Sequence, residues 1–168
     1  MTDDGGLPQP RTQAGWTPPA TILETQLCFA LSAASRAMTG CYRPLLTPLG
    51  LTHPQYLVMV VLWERQTITV KELGDRLQLR SATLSPILVR LEQAKLIVRR
   101  RSNTDARAME ASLTPIGQRM RREADPLPAL LAQATGMTPN EIASLRDLLH
   151  VLTMRLHAAE LSLSTSPG

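Results

Sequence analysis

Aromatic residues are scarce in this sequence of 168 residues, where two tryptophans, two tyrosines and one phenylalanine amount to 3%. Apolar residues nevertheless make up 43% of the chain, which is enough to form a hydrophobic core. That core must be built mainly from Leu, Val, Ile, Met and Ala side chains. Because strands favour aromatic and β-branched residues, this composition favours packed helices over a β-sandwich.

The sequence also lacks any apolar run of the roughly 18 residues that a membrane span requires. Its first twenty residues do not have the basic and then apolar order of a secretory signal peptide, and they are rich in Gly, Pro and polar residues. We therefore expect residues 1–20 to form a disordered tail. We expect the protein to be cytoplasmic and to have no membrane partner.

Cysteine occurs only twice, as Cys28 and Cys41. Two cysteines without a secretion signal indicate free thiols rather than a disulfide framework. In a regular helix their separation of 13 residues corresponds to about 20 Å along the axis and about 140° around it. A disulfide requires Cα atoms within about 6 Å, so the two thiols of one chain cannot join. We predict no metal site, no cofactor and no catalytic residue.

Positive charge is present but is concentrated in one segment. The whole chain has a net charge of +4, whereas residues 80–107 hold seven basic and two acidic residues, a net +5 that leaves −1 for the remainder. The basic residues are Arg80, Arg90, Lys95, Arg99, Arg100, Arg101 and Arg107. Such a concentration is typical of a phosphate-binding surface, although any single charge run is usually a solvated face.

Capping signals divide the chain into six predicted helices. A Thr followed three residues later by Glu or Gln opens a helix, because the two side chains satisfy backbone N–H groups that otherwise lack partners. The first helix begins at Thr21 and ends near Gly40, or continues past Pro44 with a kink. Pro126 and Pro128 are expected to break the fifth. The later helices begin near Thr52, Thr69, Ser81, Thr114 and Thr138, with Ser81 as a cap.

Two short β-like runs, Ile97–Arg101 and Ala108–Leu113, follow the fourth helix and are joined by a polar tip. A short helix, a tight turn, a second helix and a basic β-hairpin, in this order, are typical of a winged helix-turn-helix. We therefore predict a mainly α fold in which residues 51–113 form a winged helix-turn-helix with a small β-hairpin wing, and residues 161–168 form a loose tail.

The fourth helix carries short polar side chains at its start, Ser81, Thr83 and Ser85. Hydroxyl groups can donate and accept hydrogen bonds at base edges in the major groove, and the Thr83 methyl can touch a thymine methyl. At the hairpin tip Arg107 suits the minor groove, and Asp105 is placed to steady its guanidinium. The candidates for phosphate contacts are Arg90, Arg99, Arg100 and Arg101.

Several motifs extend this pattern: the helix start Ser81–Pro86, Arg90-Leu91-Glu92, Leu96-Ile97, Asp105-x-Arg107 and Leu113-Thr114-x-x-Gly117. With these motifs the chain resembles the MarR family of bacterial transcription regulators, over about Leu27 to Leu156. The resemblance implies an obligate homodimer in which helices of residues 21–50 and 114–160 interlock. The two wings would then straddle a pseudo-palindromic operator in double-stranded DNA.

The stretches QLCFAL, ASRAMT, YRPLL, LGLT and PQYLVMVVLWE are similar to the organic hydroperoxide resistance regulators within that family. This resemblance implies that an organic hydroperoxide oxidises Cys28 and that the repressor then leaves its operator. It also implies that Tyr42 holds the thiolate across the dimer. Helix geometry agrees, because Tyr42 lies about 21 Å beyond Cys28 within one chain. Ser32 and His53 occupy two further positions where the best-known branch has tyrosines.

Ordinary explanations stand beside these redox roles. A cysteine on an apolar helix face is usually an inert small hydrophobe, whereas the thiol switch requires sulfenic acid formation at a pre-formed thiolate. His53 could donate a hydrogen bond to Cys28 of the partner subunit, favour the thiolate when protonated, or simply sit at a helix start. Cys41 is interpreted as a structural or accessory thiol.

The leading hypothesis is a dimeric, non-enzymatic repressor that senses organic hydroperoxides. A MarR-type repressor released by a small aromatic or phenolic ligand in the dimer cleft is the first alternative, with Cys28 passive. A thiol peroxidase would need a resolving partner, which the cysteine spacing denies within one chain. A winged helix that binds only proteins would leave the basic segment unexplained.

Overall fold

The computed structural model describes residues 22–102, 105 and 107–164. The chain separates into two compact units, Met1–Gly40 and Cys41–Gly168. The predicted tail of residues 1–20 and the predicted cap Thr21 lie outside the described residues, as do three residues of the hairpin tip and residues 165–168.

The described part of the N-terminal unit contains a 3₁₀ turn, Leu23–Thr25, and the start of helix α1, which runs over Leu27–Leu46. The helix continues through Pro44, which is the longer of the two predicted alternatives. Both cysteines lie on α1, and both are free and exposed.

Six α-helices follow in the described residues of the second unit, after a 3₁₀ turn at Thr47–Leu49. The predicted break near Pro126 is confirmed, because a separate helix begins at Leu127. The last helix extends four residues into the tail that we expected to be loose from residue 161. The helices are α2 (His53–Arg65), α3 (Val70–Leu77), α4 (Ser81–Gln93), α5 (Pro115–Ala124), α6 (Leu127–Thr135) and α7 (Pro139–Ser164).

Most of the predicted caps in the described residues are confirmed. The backbone N–H of Thr52 donates to Gln55 Oε1 at 2.8 Å at the start of α2. Reciprocal Thr–Glu capping boxes start α3, from Thr69, and α7, from Thr138. The prediction for Ser81 is wrong by one residue. Arg80 occupies the N-cap with φ −67° and ψ 151°, and Ser81 is the first helical residue.

The wing is part of a three-stranded antiparallel sheet with the order β1-β3-β2. Strand β2 (Ile97–Arg101) matches its prediction, and β3 (Met109–Leu113) begins one residue later than predicted. Strand β1 (Thr67–Thr69) was not predicted, because three residues are too few for an alternating pattern to be visible. It pairs with β3 so that Thr67 faces Ser112.

Helix α2 forms the centre of the core of this unit. Its apolar side chains pack with residues of α3, α4, α5 and β3. Among the described helices none is by itself long and apolar enough to cross a membrane, and only Leu27–Leu49 and His53–Arg65 reach that composition jointly. The buried residues of α2 are Gln55, Tyr56, Val58, Met59, Val61, Leu62 and Trp63.

One close contact joins α2, α5 and the start of the wing. The Trp63 indole Nε1–H donates to the Gly117 carbonyl at 2.8 Å, and the Thr114 hydroxyl donates to the Lys95 carbonyl at 2.6 Å. A Cβ placed on Gly117 would lie 2.1 Å from the Leu96 carbonyl oxygen. Backbone cannot yield as a flexible side chain can, so only glycine fits here.

We therefore expect Gly117→Ala to lower the free energy of unfolding by about 2 kcal/mol or more, because the added methyl group must displace the Leu96 backbone. Denaturant unfolding measures this loss. Gly40→Ala is the matched control, since a Cβ at Gly40 meets nothing within 4 Å. In a helix that change should be neutral or stabilising by about 0.5–1 kcal/mol. Equal midpoints for the two variants would contradict the close-contact interpretation.

Candidate nucleic-acid interface and redox region

Helix α4 has one buried face and one exposed face. Leu84, Leu88 and Leu91 are buried and hold the helix against the core. The predicted base-contacting residues all remain exposed in the first turns of α4. The helical period therefore directs their hydroxyl groups away from the protein interior. These exposed residues are Ser81, Thr83 and Ser85.

The arginines of the basic segment fall into two groups. Arg90, Arg100 and Arg101 are exposed, as a phosphate contact requires. Arg99 instead forms an ion pair with Glu92, with its Nη2 2.6 Å and its Nε 3.0 Å from Glu92 Oε2. Both nitrogens donate to one carboxylate oxygen and hold the Arg99 guanidinium against α4, which argues against the predicted phosphate contact of Arg99.

The same pair has an electrostatic consequence for Glu92. The hydrogen bonds from the Arg99 side chain and backbone lower the pKa of Glu92. The carboxylate is therefore charged at neutral pH, and the net charge of the basic segment stays at +5.

The wing tip contains a compact turn around Asp105. Its Oδ1 accepts a hydrogen bond from the backbone N–H of Arg107 at 2.9 Å, and the Ala108 N–H donates to the Asp105 carbonyl at 2.9 Å. This corrects the prediction that Asp105 steadies the Arg107 guanidinium, since the bond described involves the backbone. A short Asp side chain bonds readily to a backbone N–H two residues on, forming an Asx turn. Both Asp105 and Arg107 are exposed.

A row of aromatic rings lies between the end of α1 and α2. The ring centroids of Tyr42 and His53 are 4.7 Å apart, and those of Tyr42 and Tyr56 are 5.5 Å apart. The row continues from Tyr56 to Trp63, at 6.3 Å. The contact of Tyr42 with His53 was not predicted. The contact arises because the 3₁₀ turn at Thr47–Leu49 brings the end of α1 back to the start of α2.

Burial shifts the titration of this row. It lowers the pKa of His53 and raises the pKa of Tyr42. At neutral pH His53 is therefore an uncharged imidazole and Tyr42 an uncharged phenol that can donate a hydrogen bond. The lowered pKa argues against a protonated His53 as the group that favours a thiolate.

The predicted redox residues divide between the two units. The structure brings Tyr42 and His53 together in the second unit. Cys28 and Ser32 belong to the N-terminal unit, where both are exposed and lie four residues apart on one face of α1. In the described part of the chain no group of three or more His, Cys, Asp or Glu residues could hold a metal ion.

Comparison with known proteins decides the family. The model of the MarR family matches residues 51–109. The organic hydroperoxide resistance transcriptional regulator of Bacillus subtilis is 43% identical over 135 residues, which cover 80% of this chain and 92% of that protein. The chain belongs to the MarR family. The resemblance seen in the sequence is thereby confirmed.

Other MarR-type proteins match over a similar length. The HTH-type transcriptional regulator TtmR of Methylorubrum extorquens is 44% identical over 136 residues, which cover 81% of this chain and 70% of that protein. A solved structure of reduced AbfR bound to DNA is 31% identical, covers 80% of this chain and 94% of that chain, and superposes with a TM-score of 0.68. The predicted winged-helix fold of this MarR-family chain is confirmed.

The exposed arginine at the wing tip can be tested by its effect on the DNA affinity of this MarR-family protein. We expect Arg107→Ala to weaken operator binding by about 1–3 kcal/mol, because a minor-groove arginine contributes both charge and shape readout. Fluorescence anisotropy at fixed salt, with an operator selected from random DNA, measures the loss. Arg146→Ala removes the same charge from α7, where Arg146 is paired with Asp147, and should bind as the parent does. Equal affinities of the two variants would exclude the wing assignment.

Proposed function

We propose that this MarR-family regulator is a dimeric repressor that binds double-stranded operator DNA and releases it when an organic hydroperoxide oxidises Cys28. The observation that carries the proposal is the set of exposed hydroxyl groups in the first turns of α4, beside a wing with exposed arginines. This combination suits a helix in the major groove and an arginine in the adjacent minor groove.

DNA binding has two further supports. The net charge of +5 is confined to residues 80–107, which include α4 and the first strand of the wing, β2. A relative in fold and sequence, reduced AbfR, has been solved on DNA. In our proposal Ser81, Thr83 and Ser85 meet base edges, whereas Arg90, Arg100 and Arg101 meet phosphates.

The apolar face of α7 supports a homodimer. Leu145, Leu148 and Leu149 are exposed on this helix, and Leu148 has 69% of its surface accessible. Leu156 follows at a spacing that returns to the same face. A contiguous exposed apolar stripe of this kind marks a protein–protein interface. A second copy of the chain can bury it by pairing its α7 with α7 of the first.

The redox part of the proposal starts from the accessibility of Cys28. Its thiol is free and exposed, so a hydroperoxide can reach the sulfur. The thiolate attacks the terminal oxygen of ROOH, an S–O bond forms as the O–O bond breaks, and the alkoxide leaves as ROH after taking a proton. The product is cysteine sulfenic acid. A relative named for organic hydroperoxide resistance, at 43% identity, supports the choice of oxidant.

Tyr42 and His53 act together in this proposal. Tyr42 of the partner subunit would hold the reduced sulfur of Cys28 by donating a phenolic hydrogen bond, and Ser32, one helical turn from Cys28, would face the same space. His53 packs on Tyr42 and sets the orientation of its ring. An oxygen atom added to the sulfur would disturb this contact and shift the dimer toward a second arrangement. A free-energy difference of a few kcal/mol between the two arrangements is enough to release the operator DNA.

A two-fold dimer predicts the layout of the operator. We expect two half-sites about 10–10.5 base pairs apart, because recognition helices related by a two-fold axis must meet the same side of the duplex. Hydroxyl-radical footprinting measures the spacing, and light scattering gives the mass of the free protein. A single protected half-site, or a monomer at micromolar concentration, would exclude the dimer.

The decisive variant for the redox proposal is Cys28→Ser. It should bind the operator as the parent does, because serine is nearly isosteric and residue 28 lies outside the DNA-reading segment. It should not release DNA when cumene hydroperoxide is added, because a hydroxyl group cannot form a sulfenic acid. Anisotropy before and after oxidant, and again after dithiothreitol, follows the release.

Cys41→Ser is the matched control, since both cysteines are free and exposed on α1. It should release DNA in parallel with the parent. Release of Cys28→Ser by hydroperoxide would instead point to a MarR-type repressor that is emptied by a small ligand in the dimer cleft.

A further inference from the structure

One ion pair ties the end of α4 to the first strand of the wing. Glu92 lies in the last turn of α4, and Arg99 is the central residue of β2. The carboxylate accepts from the backbone N–H of Arg99 at 3.1 Å as well as from its guanidinium. It therefore holds both the path of the strand and the side chain.

The ion pair holds β2 at its middle residue, closer to the wing tip than the contacts at the start of this strand. Arg99 pairs in register with Ala111 of the central strand β3, and Ala111 is fully buried. Nearer its start, β2 is held by buried Ile97 and by the Thr114 N–H, which donates to the Leu96 carbonyl at 3.0 Å. The Glu92 contact adds a tie further along the strand, toward the tip that carries Arg107. The rigid pair thus joins the element with the exposed hydroxyls to the element with the exposed arginines.

We propose that Arg99 and Glu92 are positioning residues for operator recognition, which fix the wing relative to α4 so that both read the DNA at one set spacing. This inference rests on the proposed DNA binding and adds a role for two residues that need not touch DNA. A recognition element displaced by a fraction of an ångström to an ångström loses its contacts, so a rigid support affects specificity more than general attraction to DNA.

The opposite charges of the two residues allow a sharp test. If Arg99 acted only as a charge, Arg99→Ala would weaken DNA binding and Glu92→Gln, which removes a negative charge, would strengthen it. A positioning pair predicts that both substitutions weaken binding. It also predicts that the double variant loses no more than either single variant, because the interaction is already broken.

The experiment measures affinity for a selected operator and for a scrambled duplex across a range of salt concentrations. We expect Arg99→Ala and Glu92→Gln each to lose roughly two- to fivefold in operator affinity, the range for a half-exposed ion pair. The affinity of Glu92→Gln for scrambled DNA should stay the same or rise, because that binding depends on charge alone. Active concentrations come from stoichiometric titration, and thermal unfolding verifies that each variant is folded.

Two further variants separate geometry from charge. Arg99→Lys keeps the charge but not the pair of guanidinium N–H groups that bond to Glu92, so it should lose affinity as Arg99→Ala does. Arg100→Ala is the matched charge control, because Arg100 is the next residue on the same strand and is exposed. Its loss should appear on operator and scrambled DNA alike and should add to that of Glu92→Gln.

The outcomes distinguish the inference from the function on which it rests. Wild-type protein that shows no preference for any operator would overturn the proposed function itself. Wild-type protein that binds specifically, with tighter binding by Glu92→Gln or unchanged binding by Arg99→Lys, would overturn the positioning role alone. The positioning role would be supported if Arg99→Ala and Glu92→Gln both lose operator affinity and the double variant loses no more than either of them.

Discussion

The close approach of Gly117 to the Leu96 backbone is the constraint on which the arrangement of the winged helix depends. The absence of a side chain at Gly117 lets α5 lie directly on the start of the wing. Trp63 then reaches the Gly117 carbonyl from the central helix, so one residue links three elements. Because α2 also packs against α3 and α4, the reading helix and the wing share a single support. In the proposed function, a rigid support of this kind would transmit a small movement of α5 to both proposed DNA-contacting elements.

Charge alone does not define that surface. Seven basic residues lie between positions 80 and 107, but they differ in exposure and in their ion pairs. Arg99 is held by Glu92, whereas Arg90 and Arg100 are exposed and available to phosphates. Asp105 illustrates the same point at the tip, since its bond shapes the backbone beside Arg107. Phosphate contacts need exposed charge, and base reading needs fixed geometry, so in our proposal the segment combines both kinds of residue.

The proposed sensing region combines a reactive atom with a neutral environment. Cys28 is exposed and free, and the pKa of Tyr42 is raised by burial, so the phenol remains a hydrogen-bond donor. His53 supports the Tyr42 ring within the same chain, which gives this histidine a structural task where the best-known branch has a tyrosine. In our proposal the exposed thiol of Cys28 and the Tyr42 phenol that donates to it belong to two different subunits. The exposed apolar stripe on α7 favours such a dimer.

Local signals in the sequence determined the helix starts at Thr52, Thr69 and Thr138, because a capping box satisfies backbone groups only a few residues apart. At Thr114 the signal is a simpler cap, in which the threonine hydroxyl accepts from the Gly117 N–H. The wing strands and the family were readable for a similar reason, since they depend on short motifs. Contacts between residues distant in sequence were decided by the tertiary structure. The pairing of β1 with β3, the ion pair of Arg99 with Glu92 and the tilted ring contact of His53 with Tyr42 each require elements to meet in space. Neither the hydrophobic period nor the spacing of residues along the chain predicts these contacts, because each depends on how the packed core places one element against another.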